Sequence, residues 1–373
     1  MPKSWVGTTT SLLPRWRLPP APRIRGFGFP SDCRSCFRFE EPLTKPGGDG
    51  AIARGAGSVP DLSVEGMAAD GMAVRRPGPR AMNFKKDTLI AFAICHLLAC
   101  LAFFPWFFSW TGVVLLVVGM YVFGILGINL GFHRLIAHRG FKCPIWLEHM
   151  FALLGTCCLQ FSPAFWVAVH RRHHRFTDEE RDPHSPLRSF FWAHFGWLLA
   201  RRPLDMKPAT MTEQYARDVM RDPLYARLER RNNWAKLGLL SWLAFFVGGF
   251  GAATLQGAGA REAFQFGASL FVWAGALRTV LVWHTTWSVN SVTHVWGYRN
   301  YATPDDSRNH PIIGFLTGGE GWHNNHHAAP SSARHGHKWW EFDLVWLTIR
   351  LLVLLGLATK VVLPSAKLVA RRG

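Results

Sequence analysis

The sequence predicts an all-α integral membrane protein. Three observations carry that prediction: four apolar runs of bilayer length, an uneven distribution of Lys and Arg between the segments that join them, and an excess of aromatic side chains beside cations. The 373 residues include 18 Trp and 28 Phe, and 42 basic against 24 acidic side chains give a formal charge of +18. Aromatics and cations together suit a membrane protein with basic cytoplasmic surfaces. Nucleic acid is the rival partner for so basic a chain. No folded basic module shows, however, and long apolar runs interrupt the cations, so no nucleic-acid partner is expected.

A crossing needs roughly 20 apolar residues, which residues 88–108, 110–131, 237–255 and about 264–289 supply. A fifth apolar run, 150–169, carries Gln160 and Pro163. Lys and Arg favour the cytoplasmic side of short loops. Residues 1–87 hold 14 of them, 132–235 hold 16 and 295–373 hold nine; the first two spans are joined without any, and the last two with Arg261 alone. Four spans with both termini cytoplasmic satisfy this distribution. Counting 150–169 as a span would separate His133 and His138 from His170 across the membrane, so that run reads as interfacial or re-entrant. The last apolar stretch, 342–364, is interrupted by Arg350 and flanked by Lys338, Lys360 and Lys367. It suits a helix on the membrane surface as well as a fifth span.

Residues 1–82 differ in kind. They are rich in Pro, Gly and Arg without an apolar period, so disorder is expected, and no h-region of a targeting peptide stands out. Met72 and Met82 stand just before the first span as alternative starts. Cys33 and Cys36 form a CxxC without a second pair nearby, weak grounds for zinc. The seven cysteines read as reduced and structural.

Histidine patterning carries the chemistry. His170, His173 and His174 stand at i, i+3 and i+4, one face of a helix. "GFHRLIAHRGF" places His133 and His138 where the second span ends, "WSVNSVTH" places Asn290 and His294 at the end of the fourth, and "GEGWHNNHH" repeats the HxxHH spacing with His323, His326 and His327. All nine histidines fall on the side that Lys and Arg mark as cytoplasmic. Zinc takes about four ligands, so nine imidazoles point to two metal ions, with Asn290 completing one shell through its amide or a water. Imidazole suits Fe, Zn, Cu and Ni alike. The carboxylate type of di-iron site needs a Glu-x-x-His from each of two helices, and only Glu320 with His323 offers one. His96, His149, His194 and His284 read as packing side chains.

HxxxxH, HRxHH followed by "DPHSP", "NSVTH" and "GEGWHNNHH", in that order over roughly residues 85–350, resemble the integral-membrane fatty acid desaturases, specifically the acyl-CoA delta-9 (stearoyl-CoA) type. The resemblance implies four transmembrane helices with a cytoplasmic helical cap. That cap would hold a di-iron centre of two Fe ions, which uses O2 and two electrons to introduce a cis double bond at delta-9 of a saturated acyl-CoA. It further implies His133, His138, His170, His173, His174, His294, His323, His326 and His327 as ligands, with Asn290 holding a water on one iron. The desaturase domain then runs over 83–364, between the 1–82 extension and a basic tail, 365–373. The membrane is a bacterial cytoplasmic membrane or the endoplasmic reticulum.

Asp182 and, with it, Asp178 are expected behind the ligands, where carboxylates commonly fix histidine tautomers. His184, in "DPH", reads as structural. Arg171, Arg172, Arg188, Arg201 and Arg202 are candidates for CoA phosphates, which guanidinium matches bidentately; the other reading of these arginines is contact with anionic lipid, and an acyl-lipid is the alternative substrate. Tyr121 and Ile125 share a face of the second span and are the candidate chain-length gate. The nearest match to a fused haem motif is "KPGG" at Lys45, without a histidine. A separate donor, cytochrome b5 or a ferredoxin with its reductase, is therefore expected on the basic face. A related membrane di-iron hydroxylase would show other spacings and lack "DPHSP". A membrane metal carrier would place its ligands inside the spans.

The extension yields a direct test. Deleting residues 1–71 should leave desaturation close to that of the full chain when product fatty acids are measured, and complete loss with normal expression would make the extension part of the fold or a docking site.

Overall fold

The computed structural model describes residues 83–201 and 206–370. The expected extension, residues 371–373 of the tail and Arg202 lie outside the described residues. Helices make up nearly all of the regular structure, joined by one short antiparallel pair, β1 (Asn83–Phe84) with β2 (Ala200–Arg201).

Four helical stretches are long and apolar enough to cross a membrane: Lys86–Phe103, Trp110–Ala137, Pro223–Leu255 and Ala260–His294. The first is α1 (Lys86–Cys100) with a 3-10 turn, Leu101–Phe103. The second begins as α2 (Trp110–Gly119), capped by Ser109, whose Oγ accepts from Gly112 N at 3.0 Å. It continues in wide i→i+5 turns over Met120–Ala137. The second span thus runs six residues beyond the expected 131, and His133 sits in its last turns. Widened turns occur often at functional sites. The third span combines α7 (Pro223–Glu229), capped by Asp222, with α8 (Asn233–Leu255), after a break where Arg231 and Asn232 adopt positive φ. The fourth joins α9 (Ala260–Leu270), wide turns at Phe271–Leu277 and α10 (Arg278–Ser291). Leu97, Val117, Leu240 and Val247 point outward from these helices, as lipid contact requires.

The fifth apolar run does not cross. It folds as α3 (Ile145–Thr156), 12 residues long, about 18 Å at 1.5 Å per residue, against roughly 30 Å of hydrocarbon. The chain then turns through Leu159 and Phe161, both at positive φ, into α4 (Pro163–Arg175). Arg278, fully buried, holds that turn by donating to the Cys157 carbonyl at 3.1 Å. The 342–364 stretch likewise forms only α13 (Leu344–Leu354), 11 residues, too short to span. Its continuation returns to the second span's exit, where Thr359 pairs with Lys142.

The remaining short helices are α5 (Trp197–Leu199), α6 (Pro208–Tyr215), α11 (Pro311–Leu316), α12 (His323–Ala328) and α14 (Ala366–Ala370). Of these, α12 joins α4 in carrying histidines to the end of the bundle where the second and fourth spans finish, and α6 packs on α4.

Close approach of α3 to the second span depends on two glycines. A Cβ on Gly127 would lie 2.3 Å from the Gly155 backbone nitrogen, and one on Gly155 would lie 2.8 Å from the Gly127 carbonyl oxygen. Neither contact relieves by side-chain rotation, because both partners are backbone. Gly127→Val should therefore lower the melting temperature and folded yield in detergent, with overpacking of this kind costing about 1–3 kcal/mol or more. Gly248→Ala, whose Cβ would meet nothing within 4 Å, should leave both unchanged.

Candidate metal centre

Each histidine motif occupies a defined element. The last turns of the second span carry His133, and His138 follows at its C-terminus. α4 presents His170, His173 and His174 from its final turns, α12 presents His323, His326 and His327, and the short turn after α10 presents His294. Among the described residues these nine form two groups whose ligand atoms all lie within 4.8 Å of one another: His133, His138, His170, His174 and His326, and His173, His294, His323 and His327.

The nitrogen contacts show how the rings are aimed. In the first group His138 Nε2 lies 2.6 Å from His170 Nε2, His170 Nε2 3.1 Å from His174 Nε2, His174 Nε2 2.9 Å from His326 Nε2, and His326 Nε2 3.1 Å from His133 Nε2. In the second, His327 Nε2 stands 3.0 Å from His323 Nε2 and 3.4 Å from His173 Nε2, while His294 Nε2 is buried without a hydrogen-bond partner.

Four of these rings place their other nitrogen on a carboxylate. His133 Nδ1 is 2.6 Å from Glu320, His173 Nδ1 2.9 Å from Asp182, His294 Nδ1 3.1 Å from Asp178 and His327 Nδ1 3.0 Å from Asp305. An ionised carboxylate only accepts, so each Nδ1 holds the hydrogen and each Nε2 keeps a lone pair turned inward. Five ring nitrogens converge in one group and four in the other, so each group could hold a metal ion, and the four acids fix the tautomers of the rings they touch, as carboxylates do at metal sites.

Burial is the main electrostatic influence. Desolvation, followed by mutual repulsion, holds His138, His170, His174, His323, His326 and His327 well below the ordinary histidine range. These rings are neutral near pH 7 and ready to coordinate. Burial pushes Asp182 and Asp178 up, but their histidine partners outweigh it and keep both carboxyls ionised. His184, beside Asp182, is lowered to about 3 by burial.

Spacing alone missed three supporting groups. Glu320 was noted only as a lone Glu-x-x-His partner, yet it holds His133 and takes Arg134 at 2.8 Å. Asp305 lies in a loop with no periodic signal. His335, fully buried, packs against His326 with ring centroids 4.5 Å apart and places Nδ1 3.2 Å from Glu320.

A largely apolar cavity of about 510 Å³ adjoins the first group. His170, Asn290 and Trp166 line it on the metal side, and Phe92, Trp283 and Trp287 form another part of its wall. The candidate substrate residues are more scattered. Arg171 is engaged internally, with Asp218 at 2.6 Å and the Ala137, Ile136 and Tyr215 carbonyls. Arg172 is buried, Arg188 lies 3.9 Å over the Trp192 ring, and Arg201 is exposed on β2. Tyr121 shares a hydrogen bond with Thr348 of α13 at 3.0 Å, and Ile125 packs toward Gly318. Both face the C-terminal segment, and neither is among the residues lining the cavity.

The carboxylate contacts generate a prediction on metal content. Asp182→Asn and Asp305→Asn should each weaken metal retention by about 10–100-fold, read by elemental analysis after dialysis against a chelator. Six of the clustered rings bind protons less readily in the fold than when unfolded, while at His173 the Asp182 carboxylate outweighs burial and raises the pKa, so on balance acidification opposes both the empty fold and the metal. Metal content should therefore be constant above the ordinary histidine pKa of about 6.5 and fall as the pH drops below it.

Comparison with known proteins agrees with this geometry. Residues 108–354 match the family model described as fatty acid desaturase. The chain is 42% identical over 276 residues to the sn-2 palmitoyl-lipid 9-desaturase of Nostoc sp. (strain 36), covering 74% of this chain and 89% of that protein. It is 40% identical to the chloroplastic palmitoyl-monogalactosyldiacylglycerol delta-7 desaturase of Arabidopsis thaliana, over 77% of this chain and 70% of that one. It is 38% identical to the icosanoyl-CoA 5-desaturase of Limnanthes douglasii, over 74% and 72%. With two histidine groups beside an apolar cavity and a family match across most of the described residues, the chain belongs to the fatty acid desaturase family.

Proposed function

We propose that this desaturase introduces a cis double bond at delta-9 of a saturated acyl chain, using two irons and O2. One observation supports the reading above others: an apolar cavity whose wall includes His170 of the first histidine group and Asn290. Iron bound there supplies the oxidising power that an unactivated methylene C–H bond demands. The reaction balances as one O2, two electrons and two protons consumed, with two hydrogens leaving the acyl chain and two waters formed.

The protein's own part is positional. The cavity wall holds the chain beside the metals and keeps water from it. Asp182, Asp178, Asp305 and Glu320 hold the Nδ1 protons of their partner rings, which keeps the Nε2 of those four rings aimed inward. Asn290 faces the cavity, where its amide can place a water on one iron.

A glycerolipid is favoured over CoA as carrier of the chain. Among the described cavity-lining residues the carboxylates and imidazoles are Asp87, Glu229, His170 and His184, without a lysine or arginine, and Arg171 is spent on internal partners. Carboxylates repel a polyphosphate and accept hydrogen bonds from hydroxyls. Reducing equivalents come from a separate donor, cytochrome b5 or a ferredoxin with its reductase, docking on the cytoplasmic face.

Expression in a desaturase-deficient host, with gas chromatography of total fatty acids, tests the reading. A new cis-9 product is expected, and His170→Ala, His173→Ala, His323→Ala or His326→Ala should each abolish it while the protein remains in the membrane fraction. A hydroxylated product would identify an oxygenase instead, and activity in two of the four variants would overturn the ligand assignment. Purified enzyme offered both carriers should act on the glycerolipid.

A further inference from the structure

Three histidines outside both metal groups form a connected row. His96 stands on α1, His284 on α10 and His194 in the wide turn Trp192–Gly196. His284 Nε2 lies 3.1 Å from His96 Nε2, and His284 Nδ1 lies 3.0 Å from His194 Nε2. The row is anchored at both ends, by the Phe92 carbonyl 2.7 Å from His96 Nδ1 and by the Ser291 hydroxyl 2.9 Å from His194 Nδ1.

Hydrogen-bond chemistry gives the neutral row a direction. A carbonyl only accepts, so His96 donates from Nδ1 and accepts at Nε2. His284 must then donate from Nε2 and accept at Nδ1, which His194 supplies from its Nε2. His194 Nδ1 is left to accept from Ser291, whose single hydrogen is shared with the Trp287 carbonyl at 3.0 Å. Every ring nitrogen is used, and none remains for a metal. This separates the row from the nine histidines whose Nε2 atoms converge.

The row stands directly behind one wall of the cavity. His96 packs on Phe92 with centroids 4.0 Å apart, and His284 and His194 meet Trp287 edge-on at 5.5 and 6.0 Å. Phe92, Trp283 and Trp287 stack on one another at 5.5–6.2 Å and line the cavity, while none of the three histidines does. Trp287 precedes Asn290 by three residues, so the braced wall flanks the metal side. Each histidine comes from a different element, and the row therefore fixes the spacing of α1, α10 and the Trp192–Gly196 turn behind this wall of the cavity.

We propose that His96, His194 and His284 are positioning residues for regiospecificity. By holding Phe92, Trp283 and Trp287 in place they set the cavity's cross-section beside the metals, and so determine which carbons of the acyl chain stop there. This rests on the reading of the cavity as the acyl-chain site. Pocket shape typically discriminates one methylene by 10–200-fold, so a loosened wall should blur the position of the double bond before it abolishes turnover.

The test compares wild type with His284→Phe, which keeps a ring and loses both hydrogen bonds, and with His96→Leu and His96→Gln, all as full-length chains in membranes. Double-bond position is read by mass spectrometry of derivatised products, and iron content is measured in parallel. Minor positional isomers should rise about tenfold in His284→Phe and His96→Leu at unchanged iron content. His96→Gln, whose amide oxygen can accept from His284, should restore the wild-type distribution. A purely structural row would lower yield and melting temperature without moving the isomer ratio, and an unchanged ratio in His96→Leu overturns the proposal even if His284→Phe fails to accumulate. A wild-type chain that makes no double bond would instead fail the functional reading, a result visible before any variant is compared.

Discussion

A buried guanidinium holds the metal end of this protein together. Arg134 is fully enclosed, immediately after His133, and its charge is compensated by two acids: Glu320 at 2.8 Å and Asp343 at 3.0 Å. A buried ion without partners costs several kcal/mol, so the helix that carries it cannot settle until both carboxylates arrive. Glu320 brings the segment before α12 and orients His133. Asp343 caps α13 through Trp346 N at 2.8 Å and receives His335 N at 2.8 Å. One side chain in the second span thereby sets the position of elements nearly two hundred residues later in sequence, including those that bear His323, His326 and His327.

From that anchor the chemistry divides by nitrogen atom. Where Nδ1 meets an acid, Nε2 is free to face inward, as at His133, His173, His294 and His327. Where both nitrogens meet protein, as in the middle of the His96–His284–His194 row, the ring braces its neighbours. The same residue type is thus turned to coordination or to packing by what stands behind it. Burial adds the second condition, because a desolvated imidazole resists protonation and stays available as a ligand.

The cavity depends on both arrangements. Its metal side is formed by residues attached to ligand-bearing helices, and the wall of Phe92, Trp283 and Trp287 is held by rings that coordinate nothing. The glycine contact between Gly127 and Gly155 brings α3 against the second span and lets the turn at Leu159 to Phe161 reach this space. A membrane bundle lacks a hydrophobic drive between helices, so such small-residue contacts and hydrogen bonds decide its packing.

The sequence by itself determined the four spans, the exclusion of the 150–169 run as a span and the grouping of nine histidines at one end. Apolar run length, cation distribution and i, i+3, i+4 spacing are local properties that the chain displays without folding. It also pointed to Asp182 and Asp178, because they lie within a few residues of His173 and His174. Tertiary structure alone decided the division of nine rings into groups of five and four, since His173 and His174 are adjacent yet serve different groups. It alone brought in Asp305, His335 and the Arg134 pairings, contacts between residues as much as 209 positions apart. It also set Tyr121 against Thr348 of α13 and Ile125 against Gly318. The reason is geometric: periodicity tells which residues share a face of a helix, whereas the neighbour that face meets is set by packing among distant segments.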